Sequence, residues 1–118
     1  MKGTKFTAIL MLVAALAIVA LVTPEFRRMH VQEPIREGPG VTAVRNLSDY
    51  FSGLKGTAGD TEVYVLDSGV AGGTVLILGG THPNEPSGLL SAVLLIENAK
   101  PSKGRLIVIP RANNSGFS

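Results

Sequence analysis

The chain of 118 residues has no cysteine, no tryptophan and only two histidines, and its aromatic content is 5 %. Without cysteine it makes no disulfide and builds no thiolate metal site, and redox chemistry says nothing about its compartment. The low aromatic content and the lack of a basic stripe exclude a usual nucleic-acid surface. The formal net charge of +2 is itself misleading, because Lys2 and Lys5 precede an apolar segment. Without them basic and acidic residues balance at nine each. No internal repeat or low-complexity tract interrupts the sequence.

What is abundant sits first. From Phe6 to Val22 the chain runs 17 residues with Thr7 as the only polar member. That exceeds a usual signal-peptide core and just reaches the length that spans a bilayer, about 17 to 25 residues. Ala15-Leu16-Ala17 has small residues at cleavage spacing, but inside the run and not after it, which favours an uncleaved anchor over a removed signal. A buried core helix is the weaker alternative, since the segment has no polar face and no cap. Arg27 and Arg28 on the far side rival Lys2 and Lys5, so orientation is weakly specified. Residues 1–22 therefore read as a signal anchor or signal peptide that meets the membrane through residues 6–22. The remainder of the chain is expected on the extracytoplasmic side, periplasmic or cell-surface, or secreted if the segment is cleaved.

Residues 23–40 turn polar, with Pro24, Pro34 and Pro39 among mixed charges, and read as a linker. Residues 41–118 then leave fewer than about 80 for a core, a size at which burial alone stabilises marginally. Val44, Leu47, Phe51 and Leu54 are spaced by three and four, which predicts a short amphipathic helix over 41–54 closed by Gly56. Thr61 to Asp67 alternates as a strand, with Val63, Val65 and Asp67 on one face. Thr74-Val75-Leu76-Ile77-Leu78 is short, β-branched and bounded by glycines, the pattern of a buried parallel strand. Leu89 to Ala99 reads as a helix.

Between that strand and that helix lies Gly79-Gly80-Thr81-His82-Pro83-Asn84-Glu85-Pro86-Ser87-Gly88. Each proline disfavours helical geometry for the residue before it, so His82 and Glu85 belong in the turn, with Pro86 near the first helical position. That is the carboxyl end of a strand, where open α/β sheets bind ligands. An imidazole nitrogen and a carboxylate both suit Zn²⁺ at about 2.0–2.2 Å, but a catalytic zinc usually takes three protein ligands. By itself an H-x-x-E is more often a hydrogen-bonded loop histidine and a glutamate favouring a helix start, since two-residue matches are common by chance. His30, near the apolar segment, reads as a solvated linker residue and a poor further ligand.

The whole ten-residue stretch resembles the first metal-binding motif of the succinylglutamate desuccinylase/aspartoacylase family, relatives of the zinc carboxypeptidases. Resemblance extends along the flanking strand and helix to Arg105-Leu106-Ile107-Val108-Ile109-Pro110-Arg111-Ala112-Asn113, which looks like the next strand of that fold. It covers about Thr61 to Ser118, roughly half the chain. Pro83 departs from it, standing where the aspartoacylase motif has glycine; proline stiffens the turn and removes neither ligand, so it bears on the substrate subgroup. The resemblance implies the N-terminal part of a three-layer α/β fold with a mixed, largely parallel sheet, preceded here by the apolar helix. It implies one Zn²⁺ held by His82, Glu85 and a later histidine, with a still later glutamate as general base and acid, so no catalytic residue falls within this chain. Arg111 and Asn113 lie near the region where substrate would be clamped, and are candidate contacts to an N-acyl amino acid or peptide-like small molecule.

Asn113 to Ser118 reads as a loop with no closing element directly after an interior strand, so the sequence is expected to be an N-terminal fragment. Three function classes stand. The first is a zinc-dependent hydrolase of amide bonds, inactive as this fragment. The second is a phosphate- or nucleotide-binding module using the glycine-rich turn 79–88, although the glycines fit neither G-x-G-x-x-G nor a phosphate loop with its lysine. The third is a non-catalytic membrane-tethered remnant.

Overall fold

Two stretches of the chain are helical for different reasons. In the computed structural model, which describes residues 2–29 and 31–117, the first helix, α1, is Lys2–Met29. Its part from Thr4 to Arg28 is long and apolar enough to cross a membrane, and none of it is buried. Every backbone group inside a helix finds its partner within the segment, which is why such a run becomes helix where nothing packs on it. The helix continues past Val22 through Thr23 and Pro24, so the expected linker does not begin at residue 23. Pro24 has no N–H for the carbonyl one turn back, but the Thr23 hydroxyl donates to the Val19 carbonyl at 2.7 Å, and the good helix formers after it carry the helix on. Arg27 and Arg28 lie in the last turn, where cations suit the negative end of the helix. His30 lies outside the described residues.

The chain forms two compact units, Met1–Val31 and Gln32–Ser118. In the second, strands β1 (Ala43–Asn46), β2 (Glu62–Asp67), β3 (Thr74–Leu78) and β4 (Arg105–Ile109) make one sheet in the order β1-β2-β4-β3. Helix α2 (Pro86–Asn98) connects β3 to β4, its parallel neighbour. The other two pairings, β1 with β2 and β2 with β4, are antiparallel. The sheet is thus mixed, but parallel in only one of its pairings and not largely parallel as expected.

The register places Tyr64 opposite Val108 and Leu66 opposite Leu106. With Ala92 and Ile96 of α2, the buried Tyr64, Leu66 and Val108 form the core, and Ile35, Val41, Ile77, Ala99 and Leu106 pack against it. Strand β2 is central and covered on both faces, since Val63 is buried as well. Its helix-facing side is that of Tyr64 and Leu66, which cluster with Ala92 and Ile96. Burial pushes the Tyr64 phenol far above its usual pKa, helped by the Glu62 carboxylate, which accepts its hydroxyl at 2.7 Å.

The expected helix over 41–54 does not form. Thr42 and Leu47 donate their N–H groups to the Val65 and Thr61 carbonyls, both at 2.8 Å, and the intervening residues pair with β2. Two 3₁₀ turns, Leu47–Asp49 and Ser52–Leu54, come next. Phe51, one of the four residues that set the three-and-four spacing, is 65 % exposed, so that spacing buries no continuous face. Asp60 accepts the Ser48 N–H at 2.9 Å, and bonding from Ser48 lowers its carboxyl pKa.

Nor are residues 32–40 a free linker. The Gly38 N–H donates to the Ile96 carbonyl at 3.2 Å, and a Cβ at Gly40 would lie 2.1 Å from the Ala99 carbonyl oxygen. Only glycine lets this arm lie against the carboxyl end of α2. Strand β3 has the pattern of a buried strand but is an edge: Val75, Leu76 and Leu78 are all more than half exposed. Its composition suits two covered faces, but β4 stands between it and β2.

Candidate metal centre

Where β3 ends, its ladder to β4 continues for two more residues. Gly79 donates to the Ile109 carbonyl at 2.8 Å, and Ala112 and Asn113 donate to the carbonyls of Gly79 and Gly80 at 2.9 and 3.2 Å. Gly80 then reverses the chain with φ of +58°, a region that favours glycine. In the turn beyond it the Glu85 N–H donates to the His82 carbonyl at 3.0 Å. Glu85 keeps an extended backbone as the residue capping α2, and Pro86 takes the first helical position, as the sequence requires.

His82 and Glu85 accordingly stand together at the carboxyl end of β3. Both are exposed, and both line a cleft of about 180 Å³ with Leu78, Gly80, Thr81, Ser87 and Gly88. Among the described residues neither side chain takes part in a hydrogen bond or ion pair, and Glu85 makes no side-chain bond to the start of α2. A loop histidine held by a hydrogen bond, the plain alternative for His82, has no bond here to support it. Glu85 still lies at the start of α2, as its N-terminal capping residue.

The donor set suits zinc in kind and falls short in number. One imidazole and one carboxylate, uncommitted to other partners and three residues apart on a turn stiffened by two prolines, are two of the three ligands a catalytic zinc usually takes. No group of three or more potential ligands occurs among the described residues.

The glycines of the turn have a packing reason. A Cβ at Gly79 would lie 2.6 Å from the Ala92 Cβ and 2.7 Å from the Gly88 carbonyl oxygen, and one at Gly80 would lie 2.6 Å from the Pro110 carbonyl oxygen. These contacts bring β3, α2 and the end of β4 together. The Gly79 N–H is already donated to the Ile109 carbonyl and is not free for an anion, so the glycine content does not by itself argue for phosphate binding.

The two candidate substrate contacts are parted. Asn113 lies beside the His82 turn, its side-chain amide donating to the Thr81 carbonyl at 3.3 Å. Arg111 points into a different cleft, of about 320 Å³, whose lining includes Glu33, Asp60, Glu62 and Asn114, and its guanidinium donates to the Glu33 carbonyl at 2.7 Å. It ties down the arm before β1 and does not line the His82 cleft. The residues after Asn113, expected to be an open loop, form a 3₁₀ turn, Asn114–Phe117, that backs the motif. Asn114 donates to the carbonyls of Ala58 and Asp60 at 3.1 and 2.7 Å, anchoring that turn to the loop before β2. The run Asn113-Asn114-Ser115-Gly116 is rich in turn formers, the one signal by which sequence could have placed it.

No protein-family model, curated protein or solved structure matches the chain.

Proposed function

We propose that the turn carrying His82 and Glu85 is part of a zinc centre of a hydrolase that acts on the amide bonds of N-acyl amino acids or related small substrates. The observation that supports this most is the pairing of an uncommitted imidazole and an uncommitted carboxylate in one cleft, at the carboxyl end of a strand with a parallel neighbour. Bound there with a third ligand, zinc supplies a Lewis acid for the amide carbonyl and lowers the pKa of water toward 7. The chain's own contribution is geometric. Gly80 turns the backbone, and Pro83 and Pro86 limit the backbone conformations of His82 and Glu85, so the main chain that carries the two donors has less freedom to lose on binding. No third ligand joins them among the described residues.

The apolar helix supports a second part of the proposal: α1 is an uncleaved anchor, and the domain after it works on the extracytoplasmic side. Its length and composition are the support.

A zinc titration of the whole chain in detergent micelles tests the centre. Two ligands leave the ion largely hydrated, so weak binding is expected, lost in His82→Ala and in Glu85→Gln while the circular dichroism stays unchanged. Equal binding by the wild type and both variants would refute the assignment.

A further inference from the structure

The metal turn is gripped from behind on both sides of His82. On one side the Asn113 side-chain amide donates to the carbonyl of Thr81, the residue before His82, at 3.3 Å. On the other, Gly116 packs so closely against Pro83 that a Cβ there would lie 2.4 Å from the proline Cγ. The grip is itself anchored. Asn113 donates its backbone N–H to the Gly80 carbonyl at 3.2 Å and accepts the Gly116 N–H at 3.0 Å, while its side-chain oxygen accepts the Ser115 hydroxyl at 3.1 Å. Its carboxamide is thus oriented with the N–H₂ toward the turn, and both ends of the side chain are in use. That is a poor arrangement for a substrate contact and a good one for fixing a loop.

Resting on the zinc reading above, we propose that Asn113 is a positioning residue for the metal turn: it fixes the Thr81 carbonyl and, with Gly116 against Pro83, sets the direction in which His82 and Glu85 present their donors. The chemistry requires an amide here. Thr81 offers a carbonyl oxygen, which only a donor can bind, so an aspartate of the same shape would place oxygen against oxygen. Asn113 is exposed, so replacing it leaves no buried polar group unpaired and the fold intact.

The test uses the whole chain in detergent micelles, with Zn²⁺ alone as the probe. Asn113→Asp and Asn113→Ala are expected to weaken Zn²⁺ binding by about threefold to tenfold, the range of one ordinary hydrogen bond. Both should also speed hydrogen exchange at the Glu85 amide, without zinc present and with an unchanged unfolding midpoint. Gly116→Ala, which forces Pro83 to move, should perturb the amides of the same turn. If the wild type binds Zn²⁺ no better than His82→Ala, the zinc reading fails, and exchange at Glu85 still decides whether Asn113 holds the turn. If wild-type binding depends on His82 but Asn113→Asp changes neither affinity nor exchange, the positioning role is overturned. Faster exchange with unchanged affinity would equally overturn it, because the bond would then steady the loop without directing the ligands.

Discussion

Two glycines with the same backbone sign separate two kinds of constraint. Gly56 has φ of +74° and nothing within 4 Å of where a Cβ would stand, whereas Gly80 has φ of +58° with the Pro110 carbonyl oxygen 2.6 Å from that point. Alanine at Gly56 meets only the strain of the left-handed region, about 1–2 kcal/mol. Alanine at Gly80 meets the same strain and a clash with backbone that cannot swing aside. Urea unfolding should therefore show Gly80→Ala losing clearly more than Gly56→Ala, by at least about another 1 kcal/mol. Equal losses would mean that the ends of β3 and β4 separate easily, and the turn carrying His82 would be less fixed than its hydrogen bonds indicate.

Among the elements, β3 stands apart. It is an edge with one hydrogen-bonded neighbour, and no lysine, proline or bulge interrupts its five residues, the devices that normally protect an edge from pairing with another chain. The other edge, β1, is only four residues long and includes Arg45. Leu76→Lys should lower concentration-dependent association of the whole chain in micelles, measured by sedimentation. Because Leu76 is 57 % exposed, it should shift the unfolding free energy by no more than about 0.5 kcal/mol. Undiminished association would place the sticky surface elsewhere, for instance on the exposed Leu90 and Leu94 of α2.

For the molecule as a whole, α1 is the helix long and apolar enough to cross a membrane, and the proposed location rests on it. At about 1.5 Å per residue, the described span Thr4–Arg28 is longer than a hydrocarbon core of about 30 Å requires, whereas Phe6 to Val22 alone falls slightly short. A reporter active only after export, fused behind residue 118, should be active and should migrate with its N-terminal segment attached. An inactive fusion would refute the proposed orientation. A mature N-terminus near Ile18 or Thr23 would replace the anchor with a cleaved signal.

Whatever depends on neighbours along the chain was legible in the residues alone: the apolar helix, β2, β3, the helix that Pro86 begins, and the turn holding His82 and Glu85; β4 was read only through the family resemblance, and it ends at Ile109 rather than Asn113. Those elements arise from runs of apolar residues and from what proline and glycine permit the backbone next to them. Partners distant in sequence decided the rest. Residues 43–46 became strand because β2 offered its free edge, which outweighed a helical spacing with no face to bury. Strand β3 lies at the edge because β4, more than twenty residues later, took the place beside β2. Arg111 and Asn113 are two residues apart in sequence, yet Arg111 reaches the Glu33 carbonyl and Asn113 the Thr81 carbonyl. Periodicity records which residues favour burial and turning, but the pairing that satisfies their backbone groups is settled only when the sheet assembles.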